Sequence, residues 1–291
     1  MMTRDTVRLQ VGAGRVCRTC SGTIESVVSE EGPQTVDTWE GKRVAGVTAN
    51  TSAVPGGIIE NHPVSRIVML PETSKIANED LVNNLMPLCR ALTCENLHLR
   101  TLDDEVVVVV AGSLRSAVPY LQWLLIKSTR VITYLPPPED GMPPESAVEE
   151  DYKHELFSHR KFKPLLSSVI IRRVPVAAIS ESALKLTNGV GVSAIAVLPD
   201  AVKAFKVEEV QLGRQALLAA GMGCRIVWQQ PLEQVDPCEA QCLFRKGNSL
   251  EFFNFRVILE AHSADGVVQH ALLETVKRAS HNTLYTEAQT R

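Results

Sequence analysis

Two stretches of the chain share a strand, proline and helix pattern, and this repeat constrains the fold more than any other feature. Residues 66–92 align without a gap on residues 194–220, an offset of 128 residues. The pair Leu70–Pro71 matches the pair Leu198–Pro199. Because proline cannot donate to a β-ladder, each copy is predicted to be a buried strand that ends at proline, followed by a helix that packs back over it. The alignment therefore predicts an α/β protein of repeated units.

Hydrophobic periodicity predicts further elements along a single domain of residues 1–291. Residues 1–60, rich in Gly, Thr, Ser and Val, are predicted to be short strands joined by turns. Residues 136–164, which open with three prolines, are predicted to be a long excursion. Asp103 and Asp104 would form a hairpin turn. The predicted strands are 67–70, 97–101, 105–111, 130–135, 168–174, 195–198, 224–228, 240–244 and 250–259, and the predicted helices are 78–92, 113–127, 207–220 and 267–279.

Composition excludes some partners. The formal net charge is -3, from 33 acidic and 30 basic residues, so the chain has no overall positive field to attract nucleic acid. RNA binding by the isolated chain is expected to be weak. The longest wholly apolar run, residues 106–111, is far shorter than the roughly 20 residues of a membrane-spanning helix. No membrane partner is predicted.

The seven cysteines are scattered, which indicates free thiols in a reducing compartment such as the cytosol or an organelle matrix. Cys17 and Cys20 form an isolated Cys-x-x-Cys without a second pair, so no metal site is predicted. The glycines of residues 189–197 lack Gly-x-Gly-x-x-Gly spacing and a following helix, and no nucleotide or other cofactor is predicted. The cysteines lie at positions 17, 20, 89, 94, 224, 238 and 242.

Two segments carry candidate chemistry. His98 lies between Leu97 and Leu99, and is interpreted as a hydrogen-bonded structural histidine or as a proton-transfer group. The segment 228–247 contains Asp236, Cys238 and Cys242 in a turn that leads into a predicted strand. These cysteines are either small buried residues or thiolate nucleophiles beside a carboxylate.

Both segments resemble the dimethylarginine dimethylaminohydrolases, which belong to the pentein superfamily. In that family a Leu-His-Leu-Lys-Ser strand supplies the catalytic histidine, and an acidic stretch with a Val-Asp-Gly turn precedes the nucleophilic cysteine. Counted without a gap, the nucleophile position falls on Gln241 and a second cysteine on Cys242. The matching residues are Leu97, His98, Leu99 and Arg100, and then Leu232, Glu233, Val235 and Asp236.

Departures from the family pattern imply a pseudoenzyme. Attack on a guanidinium carbon needs a thiolate and carboxylates that bind the cation, and glutamine is not a nucleophile. The family's acidic Phe-Val-Glu-Asp segment has no counterpart, and its Gly-Gly-Asp-Val segment is only echoed at residues 56–59. His98, Asp236, Gln241 and Cys242 are therefore expected to be relics. The alternative is an active guanidine-modifying hydrolase that uses Cys242 or Cys238 with His98.

The resemblance implies a pentein propeller, in which strand and helix modules surround a pseudo-symmetric axis. His98 and residues 236–242 would then face a common channel. It also implies a non-catalytic scaffold subunit, similar to the pentein-fold subunit of the kinetoplast RNA-editing complex, with other proteins of that complex as partners. The location implied by the resemblance is the mitochondrial matrix, and otherwise the cytoplasm.

One basic tract is a candidate for contact with RNA or a partner protein. It lies in the predicted excursion and includes Phe157 and Phe162, which could stack on bases. A solvated segment or a protein contact is the more common role of such a tract. The contact candidates are His159, Arg160, Lys161 and Lys163, extended by Arg172 and Arg173.

Overall fold

A computed structural model describes residues 6–14, 19–28, 43–47, 58–63, 67–70, 78–127, 129–138, 168–232 and 234–280. The chain divides into two compact units. Unit 1 consists of Met1–Thr93 and Phe255–Arg291, and unit 2 consists of Cys94–Asn254. Residues 139–164 of the predicted excursion lie outside the described residues.

The described strands and helices follow one another in this order along the chain. The strands are β1 (Thr6–Gly14), β2 (Thr19–Val28), β3 (Arg43–Val47), β4 (Ile58–Pro63), β5 (Ile67–Met69), β6 (Val106–Val110), β7 (Arg130–Leu135), β8 (Val169–Arg173), β9 (Val192–Val197), β10 (Ala220–Trp228) and β11 (Ser249–Phe252). The α-helices are α1 (Asn78–Cys94), α2 (Leu114–Ile126), α3 (Ile179–Leu186), α4 (Ala201–Phe205), α5 (Glu209–Ala219), α6 (Pro237–Lys246), α7 (Phe255–Glu260) and α8 (Asp265–Ser280).

Unit 1 contains an antiparallel sheet in the order β4-β1-β2-β3-β5. The short strand β5 contacts helix α8, so this helix lies at that end of the sheet. The thiol of Cys89 on α1 lies 3.7 Å from Thr275 Oγ1 on α8, and both residues are buried. This contact joins helices α1 and α8 within unit 1.

Unit 2 contains a six-stranded sheet in which every neighbouring pair is parallel, in the order β11-β10-β9-β6-β7-β8. If the six strands are numbered 1 to 6 along the chain from β6 to β11, their order in the sheet, read from β8, is 3-2-1-4-5-6. The chain therefore winds outward in one direction from β6, and then in the other direction from β9. This is the doubly wound arrangement, whose strand order reverses between β6 and β9.

The two central strands of this sheet are buried on both faces. Residues 107–110 of β6 and residues 194–197 of β9 are all at most 1% exposed. Strands in parallel sheets become continuous apolar runs because helices cover both faces of the sheet. The run of five valines in β6 is a direct example.

This sheet overturns the predicted pentein fold. A propeller of repeated modules would divide the strands among small sheets around an axis, whereas six strands of unit 2 form one continuous parallel ladder. The predicted repeat was also wrong. Strand β5 pairs antiparallel with β3, while its supposed counterpart β9 pairs parallel with β6 and β10. A strand that ends at proline before a helix is common to both places without making them copies.

Several predicted elements are confirmed, and three strands are not. The predicted strands at 105–111 and 130–135 are confirmed, as are the helices at 78–92, 113–127 and 207–220. Residues 240–244 belong to helix α6, and residues 250–259 divide between β11 and α7.

The predicted strand at 97–101, and with it the predicted hairpin, was wrong because the chain forms a π-helical turn at Glu95–Leu99. The buried carboxylate of Glu95 explains this turn. Its Oε1 accepts hydrogen bonds from the backbone N–H and the hydroxyl of Thr101 and lies 2.6 Å from Lys127 Nζ. These contacts hold Arg100 at a left-handed φ of 45°.

Gly112, just after β6, lies where two chain segments approach closely. A Cβ atom at this position would lie 2.7 Å from the backbone oxygen of Asp200 and 2.8 Å from Ala204 Cβ. Real Cβ atoms almost never come so close to other heavy atoms. Only glycine lets the start of α2 pack against the start of α4.

Replacing Gly112 by alanine should therefore destabilise unit 2. We expect Gly112→Ala to lower the free energy of unfolding by about 1–3 kcal/mol through overpacking, measured by chemical denaturation. The matched control is Gly213→Ala in helix α5, where a Cβ would meet Leu232 at an ordinary 3.7 Å. This control should raise stability by about 0.5–1 kcal/mol because alanine favours a helix. Equal stability of Gly112→Ala and the wild type would contradict the close packing.

Candidate functional site

The carboxyl edge of the parallel sheet is where the strand order reverses. Strand β6 stays paired to its end on both sides: Leu198 N–H donates to Val110 O at 2.9 Å, and Ala111 N–H donates to Tyr134 O at 3.0 Å. Beyond these bonds the chain leaves in opposite directions, into α2 after β6 and into α4 after β9. In open α/β sheets, ligands bind in the crevice that forms at such a point.

The N-terminus of helix α2 lies at this switch point. Ser113 is its N-cap, with an extended φ of −148°, and its hydroxyl accepts a hydrogen bond from Ser116 N–H at 3.3 Å. No acidic residue lies in the first turn, which carries Arg115. The unpaired N–H groups and the dipole of a helix N-terminus favour an anion. Serine supplies the cap because its oxygen satisfies a donor that the helix leaves open.

Asp200 places a carboxylate in the same crevice. Its Oδ2 would lie 2.8 Å from a Cβ built on Gly112, and its Oδ1 is buried and accepts no hydrogen bond from the described residues. The backbone oxygen of Asp200 accepts from Ala204 N–H at 3.0 Å, which ties the residue to α4. Asp200, the residue before α4, therefore brings a carboxylate next to Gly112, which lies just before α2.

Two arginines lie at the carboxyl ends of the strands on the other side of β6. Arg172 and Arg173 end strand β8 and pair in register with Tyr134 and Leu135 of β7. An Arg173 guanidinium N–H donates to the backbone oxygen of Pro136 at 3.3 Å. Burial raises the pKa of Tyr134, and the charge of nearby Arg172 acts in the opposite direction. Both residues were predicted from the sequence as contacts for RNA or a partner protein, a prediction that stays open.

His98 lies elsewhere in unit 2, in the π-helical turn. Its Nδ1 lies 2.7 Å from Glu251 Oε2 on β11, and its ring meets Phe253 edge-on with centroids 5.4 Å apart. Arg100 contributes a second contact to Glu251, at 3.2 Å. These contacts show that His98 is hydrogen-bonded, and its role as a structural residue or a proton-transfer group stays a prediction.

The predicted relic positions near residue 240 lie on helix α6 rather than on a strand. Asp236 is the N-cap of this helix, and it forms a reciprocal capping box with Glu239. Arg214 pairs with both carboxylates, at 3.0 and 3.1 Å. Gln241 and Cys238 are exposed, and Cys242 is half-buried. Within the described part of unit 2, no hydrogen bond or ring contact joins His98 to this helix.

Other sequence predictions meet the described residues only in part. The contact candidates His159, Arg160, Lys161 and Lys163 lie outside the described residues, and so does Cys17. Where the chain is described, no cluster of three or more His, Cys, Asp or Glu residues could hold a metal ion. No helix among the described residues is long and apolar enough to cross a membrane.

Comparison with known proteins gives matches to solved structures alone. No protein-family model and no curated protein matches the sequence. An alcohol dehydrogenase superfamily protein from Novosphingobium aromaticivorans matches with a TM-score of 0.65 and 13% identity, over 96% of this chain and 80% of that one. A mycobacterial quinone oxidoreductase matches with a TM-score of 0.62 and 12% identity, over 97% and 90%. A mycobacterial protein complexed with NADPH matches with a TM-score of 0.60 and 13% identity, over 96% and 81%.

This chain has the fold of alcohol dehydrogenase superfamily proteins. The resemblance to dimethylarginine dimethylaminohydrolases was therefore wrong, because the matched structures are dehydrogenase-type reductases and not penteins. The functions drawn from it fall as well. These are the pseudoenzyme with Gln241 at a nucleophile position, the kinetoplast RNA-editing scaffold and the guanidine-modifying hydrolase.

A nicotinamide dinucleotide is the cofactor that this fold implies, and the phosphate-binding motif is kept only in part. With Gly112 at the first glycine position of Gly-x-Gly-x-x-Gly, the second falls on Leu114 and the third on Ala117. Ala117 is fully buried, so the close packing of helix on strand is retained. Leu114 stands where glycine would let the backbone approach the pyrophosphate.

The residues at the switch point do not fit the pyrophosphate as they are arranged. Leu114 replaces the glycine of closest approach, and the Asp200 carboxylate occupies the space beside Gly112. An anion there would meet a second negative charge. Arg172 and Arg173, at the carboxyl end of β8, are better suited to bind an anion, because an arginine near the second strand accommodates a ribose 2′-phosphate.

Sequence reasoning missed this site because it looked for glycines at residues 189–197. The available signal was the run of strand 105–111, helix 113–127 and strand 130–135, which is a β-α-β unit with Gly112 and Ser113 at its first turn. That unit indicates a parallel sheet even where the motif is incomplete.

Thiol reactivity offers a test of the described packing. Burial raises the pKa of both the Cys89 thiol and the Cys224 thiol to about 12, so neither forms a reactive thiolate near neutral pH. We expect a thiol reagent at pH 8 to modify exposed Cys238 in the native protein while Cys89 and Cys224 stay unmodified until guanidinium unfolds the chain. Peptide mass spectrometry locates the label, and Cys238→Ser provides the control. Native labelling of Cys224 as fast as that of Cys238 would contradict the packing.

Proposed function

We propose that this chain is an NADPH-dependent oxidoreductase, with unit 2 as its nucleotide-binding part. The observation that carries the proposal is the strand order of unit 2, which reverses between β6 and β9 at the N-terminus of α2. This is the arrangement across which nicotinamide dinucleotides bind in doubly wound proteins. The fold likeness to reductases supports the reaction class.

The residues near the end of β7 favour NADPH over NADH. An acidic residue at the end of the second strand typically binds the 2′-hydroxyl of the NADH ribose. Residues 135–138 of this chain are a leucine and three prolines, so Glu139 and Asp140 come only after this stretch, and Arg173 donates to the backbone of Pro136 within it. A guanidinium in this position can pair with a 2′-phosphate through charge-assisted hydrogen bonds. One matched structure contains NADPH, which agrees with this preference.

A quinone is the proposed acceptor class. One matched structure is that of a quinone oxidoreductase, which supports a quinone as the acceptor. Because the described arrangement does not fit the pyrophosphate, no individual residue is assigned a step in hydride transfer.

Calorimetric titration of the full chain with NADPH and NADH tests the proposed function. NADPH should bind about tenfold more tightly than NADH, because charged hydrogen bonds to the extra phosphate contribute roughly 1.5–3 kcal/mol. Arg173→Gln should remove most of this preference. Lys185→Ala, which removes an exposed positive charge from the last turn of α3, should leave it unchanged.

Turnover supplies the second part of this test. Adding a quinone to the chain with saturating NADPH should oxidise the nucleotide, measured by loss of its absorbance. The proposal fails if neither nucleotide binds at millimolar concentration, or if NADPH binds without any acceptor-dependent oxidation across a panel of quinones.

A further inference from the structure

We infer that Asp200 limits the affinity of this chain for a dinucleotide by occupying the seat of the pyrophosphate with negative charge. The inference rests on the proposed function and goes beyond it, since it assigns to one residue a control of affinity that the fold does not require. The fold provides a dinucleotide crevice, whereas the residues found there do not suit a pyrophosphate.

The first step is steric. The backbone oxygen and Oδ2 of Asp200 would lie 2.7 and 2.8 Å from a Cβ at Gly112. The glycine that could open space for a ligand at the first turn of α2 instead accommodates Asp200 and Ala204. A phosphate could approach this turn only if the start of α4 moved away from Gly112.

The second step is electrostatic. The N-terminus of α2 favours an anion, and the Asp200 carboxylate is the anion nearest to Gly112. Its Oδ1 is buried and accepts no hydrogen bond from the described residues, so no donor among them offsets the charge at this oxygen. A pyrophosphate in the same crevice would be repelled by this charge at short range.

The third step is that the arginines and Asp200 would lie near different parts of a bound nucleotide. Arg172 and Arg173 end strand β8, two strands away from β6, whereas Asp200 follows β9 on the other side of β6. The repulsion should therefore act on the pyrophosphate and leave a 2′-phosphate at the arginine end unaffected. A ligand that has the 2′-phosphate but carries no phosphate at the 5′ position provides an internal control.

The experiment compares the wild-type chain with Asp200→Asn by calorimetry, using NADPH and adenosine 2′-monophosphate as probes. The substitution removes the charge while keeping the shape of the side chain. We expect NADPH to bind about tenfold more tightly to the variant, and adenosine 2′-monophosphate to bind equally to both. Asp103→Asn, which removes an exposed carboxylate in the turn before β6, should change neither affinity.

The outcomes separate the inference from the proposed function. If the wild type binds NADPH and Asp200→Asn binds it equally, the inference is wrong while the proposed function stands. If only the variant binds NADPH, the inference holds and the wild-type chain is not an NADPH-dependent enzyme. An equal gain for both probes also overturns the inference, and so does failure of a folded variant to bind either probe. The melting temperature of each variant establishes that it is folded.

Discussion

Burial of strands β6 and β9 on both faces is the constraint on which the rest of unit 2 depends. Residues that are almost completely inaccessible on both sides of a sheet require helices on both sides. In a parallel sheet each connection runs from the carboxyl end of one strand back to the amino end of the next. The helices therefore begin at the side of the sheet where the strands have their carboxyl ends. The same burial that stabilises the unit thereby brings the N-terminus of α2 and Asp200 to one crevice.

Charge is unevenly distributed along this edge. Arginines end strand β8, a helix N-terminus follows β6, and the Asp200 carboxylate, whose Oδ1 accepts no hydrogen bond from the described residues, follows β9. Two unit charges about 4 Å apart interact by roughly 4 kcal/mol at an effective dielectric constant near 20, so one carboxylate can offset the attraction of a helix N-terminus. The backbone of the unit follows the dinucleotide-binding arrangement, whereas the side chains at its centre oppose an anion.

Local sequence signals predicted the elements of unit 2 better than their assembly. The β-α-β unit at residues 105–135 was readable from apolar runs, and Asp236, Pro237 and Glu239 form a helix start of N-cap, proline and capping-box residues. This helix start was given less weight than the resemblance of the segment to a strand that carries a cysteine, so a strand was predicted at residues 240–244. The helix α6 that the structure contains follows the local chemistry.

Other features depended on contacts that the local sequence does not contain. The alternation of Leu97, His98 and Leu99 is typical of a strand, and the π-helical turn results from the pairing of Glu95 with Lys127, which is 32 residues away. The proximity of Asp200 to Gly112 likewise requires β9 to lie beside β6. Leu114 made the site harder to recognise because it replaces the glycine by which the motif is usually found.

Hydrogen exchange of the full chain with and without saturating NADPH tests most directly that the switch point of unit 2 is the nucleotide site. Added NADPH should slow exchange at the backbone amides of residues 111–116 and 198–204, which are the segments after β6 and β9. It should leave the π-helical turn at Glu95–Leu99 and helix α6 unchanged. Protection confined to the π-helical turn or to α6, with none at the switch point, would contradict the assignment of this crevice.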